Sequence, residues 1–216
     1  EVICKKIGVT LAGHPVPDAC CVEGCKKIEA LARDITERDL VFFITGSGVG
    51  SLMTYPAGDI TIEEMSAFTR MMQIEKGVPT SDLNPIRTHI DRFKGGRLAR
   101  LFKPATLVHM TTADPAKLDT PVLRISYQQM LKINTFFPHI ATGSTYADCL
   151  NILKKWDAWD ETPESIRRHL LAGGSHNENM SPEEFEAMGD RFFGLVFKDS
   201  TVYPAVRKRA KKLGYD

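Results

Sequence analysis

Apolar and polar positions along the chain follow two alternating periods. Val22, Cys25, Ile28 and Leu31 recur every third position behind Asp18, which predicts an amphipathic helix capped by that aspartate. Leu40 to Ile44 is an unbroken apolar run after a charged loop, the pattern of a central parallel strand buried on both faces. Ala105 to Met110 reads the same way, and further strands are predicted from Cys4 to Thr10 and from Phe192 to Phe197. Thr61 and Glu64 have capping-box spacing ahead of the stripe Ile62, Met65, Phe68 and Met72, with Gly77 as its stop. Asn84 before Pro85 predicts another helix start, with Ile86, Ile90 and Phe93 on one face. Thr145 caps a helix running to Trp156, Thr162-Pro163 opens one ending at Gly173-Gly174, and Ser181-Pro182 with Glu184 opens a third. A basic helix closes the chain from Pro204 to Leu213. From Thr111 to Thr142 the pattern supports a strand near Val122 to Tyr127 and a long loop.

Strands alternating with helices predict an α/β fold: a mostly parallel, three-layer Rossmann-like sheet with helices on both faces, in one domain over residues 1–216. Ligands on such sheets bind at the carboxyl ends of strands, which points to the loops after Ile44 and Met110.

Composition narrows the classes. Lys and Arg total 28 against 27 Asp and Glu, for a net charge of +1, so the chain lacks the basic footprint of a nucleic-acid binder. No apolar run approaches the roughly 20 residues of a membrane span. Five cysteines without framework spacing suit a cytoplasmic, reducing compartment and buried free thiols. Cys21 and Cys25, one helical turn apart, are the exception that could hold zinc.

Three groups of residues could carry chemistry. Thr45-Gly46-Ser47-Gly48-Val49-Gly50-Ser51 follows a buried strand with small and hydroxyl residues, suited to a phosphate or carboxylate or to a plain tight turn. It is neither a Walker A loop nor a dinucleotide fingerprint. Arg87 and Lys94 lie seven positions apart, two helical turns, and so share a face, with His89 and Asp91 between them. They are either an anion site or a solvated charged face. Gly95-Gly96 costs about 1 kcal/mol per residue inside a helix, so something approaches the backbone there or the helix breaks. Asp114 and Asp119 follow the second apolar strand and could hold Mg²⁺, orient a hydroxyl, or simply make a turn. His14, held before Pro15 and Pro17, and Thr142-Gly143-Ser144-Thr145 are further candidates, with a structural histidine and an N-cap as the plainer readings.

The segment Asn84-Pro85-Ile86-Arg87-Thr88-His89-Ile90-Asp91-Arg92-Phe93-Lys94-Gly95-Gly96-Arg97-Leu98-Ala99 resembles the class II glycerate kinases. Gly13-His14-Pro15-Val16-Pro17-Asp18, the strand into the Gly/Ser loop, and Thr145 to Leu153 are similar to the same family. The resemblance spans nearly the whole chain. Its departures are the longer loop carrying Val49, an acidic stretch matched loosely by Thr111 to Pro115, and no proline after Gly143.

The resemblance implies ATP- and Mg²⁺-dependent phosphorylation of a small hydroxy acid, D-glycerate to 2-phosphoglycerate. The chain would then be part of a larger two-domain cytoplasmic kinase that binds the acid and a nucleotide, with a homodimer as one assembly. It implies catalytic roles for Arg87, Lys94 and Asp114, with Asp114 as the metal ligand. Substrate or phosphate binding would fall to His14, Thr45, Gly46, Ser47, Gly48, Gly50, Ser51, Gly95, Gly96 and Arg97. A non-catalytic binding or assembly subunit and a hydroxypyruvate reductase are the alternative functions.

Overall fold

The structure is a computed structural model and describes residues 7–46, 48–111, 137–174, 179–188, 191–195 and 199–215. Three strands, β1 (Leu40–Thr45), β2 (Thr106–Thr111) and β3 (Arg191–Leu195), form a parallel sheet in the order β1-β2-β3. Nine α-helices accompany them among the described residues: α1 (Ala19–Leu31), α2 (Val49–Leu52), α3 (Ile62–Thr69), α4 (Thr80–His89), α5 (Arg97–Leu101), α6 (Tyr146–Lys155), α7 (Glu164–Ala172), α8 (Pro182–Glu186) and α9 (Asp199–Lys212). The mixed α/β class and the parallel sheet agree with the hydrophobic pattern.

The helices start where their local chemistry dictates. Asp18 accepts from the Cys21 amide at 3.2 Å, while Thr61 with Glu64 and Thr145 with Asp148 close reciprocal capping boxes. Ser181 caps α8 through the Glu184 amide at 3.0 Å. Beyond α3 the chain widens into a π-helical stretch, Arg70–Glu75, which Gly77 ends at φ 65°.

Apolar side chains gather into two cores. One joins the sheet to α1, α5 and α8 through Cys25, Phe43, Leu98, Leu107, Phe137 and Phe185. The other is helical, with Phe68, Met72, Leu83, Ile86, Leu153 and Ile166 from α3, the π stretch, α4, α6 and α7. Two fully buried histidines sit in the sheet core. His109 and His139 approach Nδ1 to Nδ1 at 2.6 Å, and His139 Nε2 meets the Thr45 hydroxyl at 3.1 Å. His139 stacks on Phe43 with ring centroids 5.0 Å apart.

Several expectations change. The strand expected over Cys4 to Thr10 is absent from Ile7–Thr10, where Ile7 and Val9 are exposed and no described strand pairs with the segment. β1 is not a doubly buried central strand. Among the described strands it lies at one end of the sheet order, and its alternate residues Leu40, Phe42 and Ile44 are 54%, 53% and 68% exposed. The central strand of the three described is β2, with Leu107 2% and His109 0% exposed. α4 starts at Thr80, behind Pro79, so Asn84 and Pro85 lie inside it. The closing helix begins at Asp199 and contains Pro204. The strand expected near Val122 to Tyr127 lies outside the described residues.

Candidate functional site

The Gly/Ser loop leaves β1 and becomes a helix almost at once. Gly48, left-handed at φ 89°, caps α2, and a Cβ there would stand 3.3 Å from the His14 ring. The amides of Val49, Ser51 and Leu52 turn back to the Gly46 and Gly48 carbonyls at 3.4, 3.0 and 3.0 Å. Those three donors therefore close the turn rather than face a ligand. Ser47 lies outside the described residues.

A pocket of about 100 Å³ opens beside α2, lined by His14, Gly48, Gly50, Ser51, Gln73, Thr80, Asn84 and Arg87. Each core supplies one wall: loop and α2 on the sheet side, the π stretch and α4 on the helical side. The pocket unites His14, Gly48, Gly50, Ser51 and Arg87 from the sequence reading. Gln73, Thr80 and Asn84 complete it and were not among the site candidates. Their signal was present, since Thr80, Asn84 and Arg87 stand at i, i+4 and i+7, a polar stripe beside the apolar Leu83, Ile86 and Ile90.

Arg87 dominates this pocket. It is 5% exposed, and its Nη2 donates to Gln73 Oε1 at 2.8 Å. No carboxylate among the described residues pairs with it. Burial alone pulls the guanidinium down to about 10. Arg87 sits in the last turn of α4 rather than the first, so the helix dipole presents its negative end and stabilises the cation.

Thr45 and Gly46 face the other way. They line a larger groove of about 760 Å³ with Gly8–Thr10, Cys21, Cys25, Lys27, Ile28 and Leu52. Cys21 and Cys25 are each 1% exposed, and burial pushes the Cys25 thiol up to about 12. Among the described residues no group of three or more His, Cys, Asp or Glu side chains could hold a metal ion.

Lys94, Gly95, Gly96 and Arg97 do not line the Arg87 pocket. α4 ends at His89, so Arg87 and Lys94 do not share a helix face. Lys94 is 1% exposed and donates from Nζ to Asp91 Oδ2 and to the Met53 carbonyl, both at 2.5 Å. Asp91 also accepts the amides of Tyr55 at 2.9 Å and Phe93 at 2.8 Å. Arg97 donates to Asn179 Oδ1 at 3.1 Å and to the carbonyls of Thr88 and Asp91. The group that approaches the two glycines is protein. A Cβ on Gly95 would meet the Asn179 side chain, and one on Gly96 would lie 2.9 Å from Met180 Cβ and 3.1 Å from the Ala141 backbone. Thr142 and Ser144 hydroxyls join the Asn179 cluster at 3.0 Å each, while Thr145 caps α6. Asp114 and Asp119 lie outside the described residues.

Comparison with known proteins bears on this geometry. A family described as "Domain of unknown function (DUF4147)" matches residues 1–171. The glycerate 2-kinase of Pyrococcus horikoshii is 26% identical over 213 residues, covering 98% of this chain and 44% of the relative. A protein of Agrobacterium vitis provisionally named a hydroxypyruvate reductase is 34% identical over 172 residues, covering 80% of this chain and 41% of its own. A crystal structure of a Pyrococcus horikoshii protein superposes with a TM-score of 0.72 at 26% identity, covering 100% of this chain and 46% of that one. This chain therefore spans less than half the length of the relatives it matches. With a family match over residues 1–171 and a glycerate 2-kinase aligned across 98% of it, the chain belongs to the DUF4147 family, the N-terminal region of the class II glycerate kinases.

Proposed function

We propose that this chain is the acid-binding part of a glycerate-kinase-type phosphotransferase, which transfers a phosphoryl group from ATP to a small hydroxy acid, D-glycerate to 2-phosphoglycerate. The observation that supports this reading is Arg87, a buried guanidinium on a pocket wall with no described carboxylate partner. Removing such a charge from water is costly unless an anion meets it. The guanidinium fork then binds a carboxylate or phosphate through two donors. The pocket, about 100 Å³, is far below the roughly 300–1,000 Å³ of sites for drug-sized ligands, which suits a compact acid. Arg87 would hold the carboxylate, with Thr80 and Asn84 beside it on α4 and His14 and Ser51 on the facing wall as partners for the hydroxyls.

ATP and Mg²⁺ enter the proposal through the family. The Arg87 pocket, at about 100 Å³, is too small for a nucleotide, and no group of three or more His, Cys, Asp or Glu among the described residues could hold the metal. Asp114 remains the proposed metal ligand. Lys94, Gly95, Gly96 and Arg97 would contribute by fixing the turn after α4. The glycine loop would contribute through Gly48, Gly50 and Ser51 on the acid side and Thr45 and Gly46 on the other. No described helix is long and apolar enough to cross a membrane, and four free cysteines, Cys20, Cys21, Cys25 and Cys149, suit the proposed cytoplasmic setting.

The name carried by the Agrobacterium vitis relative favours a second reading, reduction of hydroxypyruvate. One experiment separates the readings. The complete protein is incubated with D-glycerate, ATP and Mg²⁺, and separately with hydroxypyruvate and NADH. ADP formation supports the kinase, NADH consumption the reductase, and silence in both a non-catalytic relative. In the kinase assay Arg87→Ala is expected to lose on the order of 2–5 kcal/mol of binding or transition-state energy. Unchanged turnover and affinity would remove Arg87 from the site.

A further inference from the structure

Buried cations in this protein are treated in two different ways. Lys94 is 1% exposed and has a carboxylate, Asp91, at 2.5 Å. Arg87 is 5% exposed and has the amide oxygen of Gln73 at 2.8 Å. We propose that Gln73 is a specificity-determining residue: it holds the Arg87 guanidinium in place with a neutral group and so keeps the charge available for a compact oxyanion in the pocket. The inference rests on the reading of the Arg87 pocket as an acid site.

Three observations carry it. First, the pocket wall of His14, Gly48, Gly50, Ser51, Gln73, Thr80, Asn84 and Arg87 contains no Asp or Glu, so its one fixed charge is positive. Second, glutamate is the isostere of glutamine, and a carboxylate at position 73 would reach Arg87 at the same separation. It would neutralise the guanidinium from within and compete with any incoming anion. Third, the backbone aims this side chain specifically. Gln73 lies in the π-helical stretch Arg70–Glu75, while its neighbours Met71 and Met72 enter the helical core and Ile74 is 53% exposed. The wider turn changes which side chains share a face, and such turns recur at functional sites. The ligand class that fits is a small carboxylate or an inorganic phosphate, since both present two oxygens to the guanidinium fork.

The test measures binding of D-glycerate and, separately, of inorganic phosphate to the complete protein by titration calorimetry, with thermal unfolding alongside. Wild type is expected to bind one of the two. Gln73→Glu is expected to unfold at a higher temperature without ligand and to bind that probe about tenfold or more weakly, the worth of one charge-assisted contact. Gln73→Met, neutral but without the amide that holds Arg87, is expected to weaken binding clearly less than Gln73→Glu. Gln73→Glu binding as tightly as wild type overturns the inference and leaves the acid-site reading standing. So does Gln73→Met weakening binding as much as Gln73→Glu does, because loss of the amide contact, with no charge added, would then account for the whole effect. Wild type binding neither probe overturns the acid-site reading and the inference with it.

Discussion

Arg87 and Lys94 show how differently two cations of one motif can be used. Lys94 completes a closed set, in which Asp91 receives its ammonium and the amides of Tyr55 and Phe93. Removing one partner of a buried pair leaves the other charge unpaired. Lys94→Met is therefore expected to lower stability by about 3–5 kcal/mol, read as a shift of the urea unfolding midpoint. Arg87→Met removes a charge that is already unpaired, so stability should stay level or rise while acid binding disappears. Equal destabilisation by the two substitutions would contradict the distinction. Gly96 is the third informative residue of the motif. At φ 85°, with Met180 and Ala141 against it, Gly96→Ala should cost at least about 1–3 kcal/mol by the same measurement. The sequence signalled that something approaches Gly95-Gly96. It did not say what, because Asn179 and Met180 are more than 80 residues away and no local pattern encodes that meeting.

Helix starts were legible wherever the signal was local. Asp18, Thr61, Thr145 and Ser181 each cap the helix their spacing predicts. Thr145→Ala is expected to cost about 0.5–2 kcal/mol in denaturant unfolding and to leave acid binding unchanged, since its hydroxyl serves α6. A change in affinity would reinstate the Thr142 to Thr145 loop as an anion site. α4 was misread because Asn84-Pro85 is a strong start signal, yet Leu83, Ile86 and Ile90 are all 0% exposed and packing holds the extra turn before the proline. Pro85 takes one amide out of the helix, and its own carbonyl still accepts from the Thr88 hydroxyl at 2.7 Å. With the helix starting at Thr80 rather than Asn84, Arg87 lies at the negative rather than the positive end of the helix dipole. The start signal at Asn84-Pro85 also hid Thr80 and Asn84 as members of the pocket.

For the whole molecule, three buried histidines couple stability to acidity. Desolvation pulls His89 down to about 4, lowers His169, and holds His139 well below the ordinary range. The unfolded chain therefore takes up protons near pH 6.5 that the folded chain refuses. Stability is full above that value and declines as the pH falls below it, with His89 alone worth roughly 3 kcal/mol once the pH passes its folded value. Urea midpoints that stay constant from pH 7.5 down to about 5 would refute this coupling. The sheet has a different whole-molecule effect. Leu40, Phe42 and Ile44 form a row of three side chains, each at least half exposed, that water wets poorly. At neutral pH, with the fold intact, the chain is expected to light up a hydrophobic dye such as anilinonaphthalene sulfonate, a signal otherwise taken as a sign of a loosened core. Phe42→Lys should quench that fluorescence and raise the concentration at which the protein clouds, without moving its unfolding midpoint.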